Sequence, residues 1–176
     1  MGLGFKLEVD EKVKKVYTQR VDINVLPMYD DVVIPQYESD AAVGMDLHAY
    51  LTPDIVNESG ESAKVGIGIQ PHKTVMIGTG IKLEMPAGVG GFIFARSGLS
   101  SKKGLAPANK VGIVDPDYRG EIKVALHNHS DSTVMVEHGD RIAQIAFMPY
   151  LIANLKKVDT LSETKRNDGG FGHSGK

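Results

Sequence analysis

The chain has 176 residues, 41% of them hydrophobic and 24% charged, with a formal net charge of −2. That length suits one domain with a proper core, and the near-neutral balance argues against a general nucleic-acid or membrane-surface binder, which needs a strongly basic face. With no cysteine, disulfide scaffolds and thiolate metal sites are excluded, and the redox compartment is left open.

The first residues, Met1-Gly2-Leu3-Gly4-Phe5-Lys6-Leu7-Glu8, lack the apolar stretch of a signal peptide. Gly2 invites a myristoylation reading, but Lys6 stands where Ser or Thr is wanted. No apolar run approaches the ~20 residues of a membrane span. These features predict a soluble cytoplasmic protein, in the host cytoplasm for a viral source. Residues 1–19 form an N-terminal extension with no assigned role.

Period-two alternation then runs nearly throughout the domain, residues 20–155. Val21, Ile23 and Val25 alternate with polar residues. In Ala41-Ala42-Val43-Gly44-Met45-Asp46-Leu47, Asp46 interrupts an apolar strand; alone, such an acid is more often a structural hydrogen-bond acceptor than a functional group. Residues 54–73 are polar and contain Gly and Ser, which predicts an extended loop or exposed hairpin. Val75, Ile77, Ile81, Leu83 and Met85 share one parity and predict a strand with one buried face.

Only residues 97–104 look helical, with Ser97 as a candidate cap and Gly104 as the stop. Arg96-Ser97-Gly98 precede or open this helix, and suit an anion: a bidentate donor, a hydroxyl and a residue permitting close backbone approach. An ordinary capped helix with a surface Arg explains the same triplet.

Next comes Gly112-Ile113-Val114-Asp115-Pro116-Asp117-Tyr118-Arg119-Gly120-Glu121. A β-type run ends in a half-buried or buried acid, bends through Pro116, presents an aromatic ring and returns as the alternating strand Ile122, Val124, Leu126. This predicts a hairpin whose tip sets Asp115 to orient water beside the ring of Tyr118. Asp117 reads as a turn residue. His127 and His129 have same-face spacing, but no third metal ligand lies nearby in sequence. Residues 134–136 and 142–147 predict two more strands, separated by Glu137-His138-Gly139-Asp140; Gln144 is a polar residue inside the second. The zinc-protease HExxH, Walker A, GxSxG and CxxC motifs are absent.

From Lys156 the chain is polar and ends Arg166-Asn167-Asp168-Gly169-Gly170-Phe171-Gly172-His173-Ser174-Gly175-Lys176. Glycines around one phenylalanine build neither strand nor core, and composition alone reads as a disordered tail. A flexible arm that closes over a ligand uses the same residues, with Phe171 stacking on a base and Arg166 and Ser174 meeting phosphates. Many short strands with Gly and Pro turns make the fold class all-β, a sandwich or barrel.

In order, the blocks 41–47, 96–99, 112–120, 139–144 and 166–175 resemble the five motifs of the trimeric dUTP pyrophosphatases (dUTPases). The resemblance runs from about residue 20 to the end. It implies an all-β jelly-roll-like β-barrel with one short helix, assembled as a homotrimer with shared active sites, whose C-terminal arm (residues 156–176) closes a neighbour's site.

Carried over, it implies that Asp115 orients a water that attacks the α-phosphorus of dUTP, releasing dUMP and pyrophosphate. That reaction would keep uracil out of DNA and supply dUMP for dTMP synthesis. Mg²⁺ is implied as cofactor, held by triphosphate and water with no direct protein ligand. Asp46 supports the site near that ion. Arg96, Ser97, Gly98 and Gln144 match phosphate contacts. Asn109, Gly112, Ile113, Val114 and Lys123 enclose deoxyuridine, Tyr118 lies under the sugar, and Phe171 stacks on uracil. Arg166, Gly172, His173 and Ser174 match the phosphate-closing arm, although His173 stands where many relatives carry Ser or Thr.

Two rivals share the fold. A dCTP deaminase needs a glutamate proton shuttle where this chain has Ala125, so Ala125 disfavours it. A non-catalytic trimeric regulatory protein is disfavoured by the presence of Asp115, Tyr118 and Phe171.

Overall fold

Alternation becomes burial most clearly in the longest strand among the described residues, where Ile77, Thr79, Ile81 and Leu83 point inward while Thr74, Met76 and Glu84 face out. The computed structural model describes residues 8–10, 15–17, 20–52 and 65–169. Its strands are β1 (Glu8–Asp10), β2 (Lys15–Tyr17), β3 (Asn24–Pro27), β4 (Met45–His48), β5 (Gly66–Ile69), β6 (Thr74–Glu84) and β7 (Val89–Phe94). After the helix α1 (Ser97–Lys103) come β8 (Leu105–Pro107), β9 (Gly112–Val114), β10 (Glu121–Asn128), β11 (Val134–Glu137) and β12 (Arg141–Pro149).

Two four-stranded sheets, ordered β3-β6-β10-β8 and β4-β12-β7-β9, enclose the core; β5 pairs with β11, and β1 with β2. All these pairings are antiparallel. Ile77 and Ile81 from β6, Ile122, Val124 and Leu126 from β10, and Leu47, Ile93, Val114, Ile142 and Ile145 from the other sheet share one apolar cluster. The fold is all-β and jelly-roll-like, with one short helix. No helix among the described residues is long and apolar enough to cross a membrane.

The buried polar residues Thr79 and Asn128 are satisfied, as burial demands. Asn128, fully buried, donates through Nδ2 to the carbonyls of Ile69 and Ser132 at 2.8 Å each, and its Oδ1 accepts from Ser130 N and Oγ. It thereby ties the end of β10 to β5. A bulge between Glu121 and Lys123 breaks the β10–β6 ladder, and the Thr79 hydroxyl donates to the Ile122 carbonyl there at 2.7 Å.

Four expectations are corrected. The 112–126 segment is not a hairpin: β9 pairs with β7 and β10 with β6 and β8, so residues 115–120 cross from one sheet to the other. Val114 and Ile122 both enter the core, but from opposite sheets about 10 Å apart. Within the 54–73 stretch, Gly66–Ile69 is a strand, paired outside that stretch with β11, and Ile69 is fully buried; residues 53–64 lie outside the described residues. The alternation at Val21, Ile23 and Val25 yields a strand only from Asn24, on the edge of its sheet. Ser97 does not cap α1: the N-cap is Arg96, with no side-chain capping bond. Gly104 does end the helix, in the left-handed conformation with φ 68°.

Candidate active site

Strand register brings one set of the candidate residues together at one end of the β4-β12-β7-β9 sheet. Gln144 stands opposite Asp46 on one side and Phe94 on the other, and Arg96 follows two residues after β7. Arg96 Nε donates to Asp46 Oδ1 at 2.8 Å, and Arg141 NH1 donates to Asp46 Oδ2 at 3.2 Å. Arg96 NH1 also reaches the Arg141 carbonyl at 3.2 Å. The Asp46 and Arg96 side chains are 14% and 24% exposed, so this acid is a partly buried anchor that aims a guanidinium. Gln144 Nε2 donates to the Ala95 carbonyl at 2.8 Å, holding the chain that leads into Arg96.

Ser97 and Gly98 are exposed at the start of α1. A Cβ added to Gly98 would meet no protein atom within 4 Å, so no packing within the chain requires glycine there. Beside this end lies a cavity of about 320 Å³ whose lining includes Arg96, Lys102, Lys103, Asp140 and Arg141. Arg141 and Lys102 received no role from sequence. A charged residue opening an otherwise buried strand, and a basic last helical turn, were the available signals. His48, two residues beyond Asp46 on the same strand face, has a buried Nδ1 with no hydrogen-bond partner. Burial lowers its pKa below 6.5; Asp46 opposes the shift, and Arg141 and Arg96 reinforce it.

A second set lies around β9. Gly112 and Val114 are buried while Ile113 is 69% exposed. Gly112 packs with its backbone against Ile93 and Asn109: an added Cβ would lie 3.2 Å from Ile93 Cβ and 3.3 Å from Asn109 Nδ2. Because β9 ends its sheet, one side of its backbone is unpaired by the described strands. Tyr118 N donates to the Asp115 carbonyl at 3.1 Å, closing a turn with Pro116 and Asp117 at its centre. The Tyr118 hydroxyl donates to the Glu121 carbonyl at 3.2 Å, laying the ring over Gly120, where any Cβ would overlap it.

Lys123 Nζ lies 3.4 Å from Glu121 Oε2, and Glu121 Oε1 accepts from Gly80 N at 3.0 Å. Glu121 is a residue that sequence reasoning passed over. The expected burial of Asp115 is corrected. The residue is exposed, on a turn outside any strand, and its carboxyl takes no hydrogen bond from the described residues.

The two sets do not meet within one chain. Val114 is registered with Gly91 near the start of β7, whereas Arg96 lies past its end. At ~3.3 Å per residue, Asp115 and Arg96 are separated by roughly 20 Å along the strand. The third set is extended: residues 151–169 leave the barrel with Leu155 91% exposed, and Arg166 Nε donates to the Gly169 carbonyl at 2.7 Å. Phe171, Gly172, His173 and Ser174 lie outside the described residues.

The His127 and His129 rings meet edge to face at 4.4 Å, and His127 Nδ1 pairs with Thr74 Oγ1 at 2.8 Å. Among the described residues, no group of three or more His, Asp or Glu side chains is arranged to hold a metal ion. Both Asp46 oxygens face guanidinium groups, and Asp115 is a single carboxylate on the other half. The exposed Asp115 carboxylate is a hard oxygen donor of the kind that Mg²⁺ accepts, directly or through a bound water.

An anchored guanidinium at one end of a jelly-roll barrel can meet an anion, and an exposed carboxylate beside a bare strand edge at the other can orient a water. Residues 30–175 match the dUTPase family model, and the chain belongs to the dUTPase family of hydrolases. It is 47% identical over 143 residues to the deoxyuridine 5'-triphosphate nucleotidohydrolase of Desulfitobacterium hafniense (strain DSM 10664 / DCB-2), covering 81% of this chain and 87% of that protein. The like-named protein of Hydrogenobaculum sp. (strain Y04AAS1) is 40% identical over 151 residues, covering 86% and 96%.

Among solved structures, a Staphylococcus bacteriophage 80alpha dUTPase mutant with dUpNHpp superposes with a TM-score of 0.73 at 22% identity, covering 88% of this chain and 98% of that one. A mutant dUTPase of S. aureus phage phi11, described as coordinating a structural Mg(II) ion, gives a TM-score of 0.66 at 19% identity, covering 81% and 99%. These two likenesses support the fold.

Proposed function

We propose that this chain hydrolyses dUTP to dUMP and pyrophosphate, in sites completed between copies of a homotrimer. The observation that carries the reading is the exposed, unpartnered Asp115 carboxylate on the turn that also presents Tyr118, beside the bare edge of β9.

Asp115 accepts a hydrogen bond from a water and takes its proton as the water oxygen attacks the α-phosphorus. The bond from that phosphorus to the bridging oxygen breaks, and pyrophosphate leaves. The β9 edge offers backbone N–H and C=O groups to the uracil edge, as a paired base would, with Gly112, Ile113 and Val114 excluding a 5-methyl group by rigid packing. Tyr118 lies flat under the deoxyribose and leaves no room for a 2′-hydroxyl, while Asn109 and Lys123 close the nucleoside pocket.

Arg96, held in place by Asp46, meets the phosphates with Ser97, and Gln144 steadies the same loop. Gly98, which no internal contact requires, lets the triphosphate approach the backbone. Mg²⁺ bound to triphosphate oxygens would supply charge neutralisation for the leaving pyrophosphate.

Because Asp115 and Arg96 face different ends of β7, a neighbour supplies the missing half. The exposed apolar arm at Leu151, Ile152 and Leu155 supports an assembly that covers it. In this reading Arg166, Phe171, Gly172, His173 and Ser174 close over the bound nucleotide. Such an activity keeps uracil out of DNA and supplies dUMP for dTMP synthesis.

The test is pyrophosphate release from dUTP, dTTP, dCTP and UTP with Mg²⁺. Turnover of dUTP alone, abolished by Asp115→Asn, is expected. Equal turnover of dTTP, or ammonia release from dCTP, would overturn the reading.

A further inference from the structure

The turn bearing Asp115 and Tyr118 belongs to no strand ladder. It crosses between sheets, and its one internal backbone bond is Tyr118 N to the Asp115 carbonyl. A nucleophile-orienting acid and a sugar platform on such a crossing need outside support, because a misplacement of ~1 Å costs on the order of 100-fold in rate. Arg119 provides three contacts. Its NH1 donates to the Pro116 carbonyl at 2.7 Å and to the Tyr118 carbonyl at 3.2 Å. Its NH2 donates to Glu84 Oε1 at 3.3 Å, at the end of β6. Glu84 Oε2 in turn accepts from Asn24 Nδ2 of β3 at 2.9 Å. The turn is thus tied through one planar guanidinium to two strands of the opposite sheet.

We infer that Arg119 is a positioning residue, which fixes the backbone of the 115–118 turn against β6 and so places both the Asp115 carboxylate and the Tyr118 ring. This inference rests on the dUTP reading above. Arg119 and Glu84 are 53% and 56% exposed, and an ion pair so exposed adds little to global stability. What the pair holds is local. A lysine at 119 is a point charge on a flexible stem and cannot span the two carbonyls and Glu84 with one rigid fork.

The test compares wild type, Arg119→Lys, Arg119→Gln, Arg119→Ala and Glu84→Gln as full chains. Steady-state kcat and KM for dUTP, melting temperature, assembly state and hydrogen exchange over residues 115–120 are read for each. Arg119→Gln is expected to lower kcat about 10- to 100-fold with KM changed less, to leave assembly and melting nearly unchanged, and to speed exchange in the turn alone. Arg119→Lys should not restore kcat, Glu84→Gln should give a smaller fall, and dilute guanidinium should partly rescue Arg119→Ala where methylammonium does not.

Unchanged kcat in Arg119→Gln overturns the inference, whether or not exchange quickens. So does a kcat loss that appears only with lost assembly and escapes guanidinium rescue. Wild-type protein that releases no pyrophosphate from dUTP sinks the dUTP reading instead, and is recognised by exchange in the turn still responding to Arg119→Gln.

Discussion

Asp115 and Arg96 sit at opposite ends of β7, with Val114 registered against Gly91 and Arg96 beyond Phe94. A single chain therefore cannot bring the Asp115 carboxylate to its own Arg96, as the proposed dUTP site requires, without breaking the β4-β12-β7-β9 sheet. The proposed cyclic assembly, with head-to-tail interfaces, would set the acid of one copy against the arginine of the next. Co-expressing Asp115→Asn with Arg96→Ala, each inactive alone, is expected to restore activity. Random mixing in equal amounts places both intact groups in about one site in four. Complete inactivity of a verified mixed assembly would contradict the shared site.

Asp46 serves Arg96 and Arg141 together. Replacing it by Asn keeps the shape but removes the charge that both guanidinium groups face, at a site where the acid is 14% exposed. Loss of these charge-assisted bonds is expected to cost about 1.5–3 kcal/mol and to raise KM for dUTP as Arg96 loses its aim. Urea unfolding at fixed protein concentration, with steady-state kinetics, checks both. A stable variant with unaltered KM would mean that Arg96 needs no anchor.

Gly120 has no side chain because the Tyr118 ring occupies the place of one. Gly120→Ala is expected to push the ring off its position over the turn. If Tyr118 lies under the deoxyribose as proposed, KM for dUTP should rise more than kcat falls, since such a platform binds ground and transition states alike. The Tyr118→Phe variant, which keeps the ring but loses the bond to the Glu121 carbonyl, should behave more mildly. Titration of nucleotide binding to Asp115→Asn backgrounds of both variants separates affinity from turnover.

His48 predicts an acid limb in stability. Burial holds its folded pKa below 6.5, with Asp46 opposing and Arg141 and Arg96 adding to the shift. Above pH 6.5 the imidazole is neutral in both folded and unfolded chains, and its contribution is fully present. As pH falls below 6.5 the unfolded chain takes up a proton that the folded chain declines, so stability is lost. His129, lowered by burial and by His127, Lys110 and His72, acts in the same direction. Unfolding free energy measured from pH 7.5 to 5 should fall in the wild type and fall less steeply in His48→Leu. Identical slopes would remove His48 from the account.

Much of this was legible in the chain itself. Alternation at residues 75–85 and 122–126 marked β6 and β10, and the turn at 137–140 separated β11 from β12. Five ordered motifs carried the family resemblance. Two of the errors share one cause, long-range pairing that leaves no local trace. Val114 and Ile122 alternate with their neighbours in the same way whether β9 and β10 pair with each other or with distant strands, so a crossing between sheets read as a hairpin. Gly66–Ile69 likewise read as loop because its stretch is polar and Gly-containing, while the pairing that makes it a strand is with β11, far along the chain. Ser97 looked like a cap because its residue type suits one, yet the backbone placed Arg96 there, with its side chain drawn away to Asp46.

The amino-acid sequence by itself determined the main alternating strands β6, β10, β11 and β12, their buried faces and the kinds of group available for chemistry, because period-two burial and side-chain acidity are local properties. Tertiary structure alone decided which strands became neighbours. That choice depends on long-range burial of two sheet faces against one core. It put the acid that follows β9 and the arginine after β7 at opposite ends of one sheet, the separation on which the proposal of a site shared between copies rests.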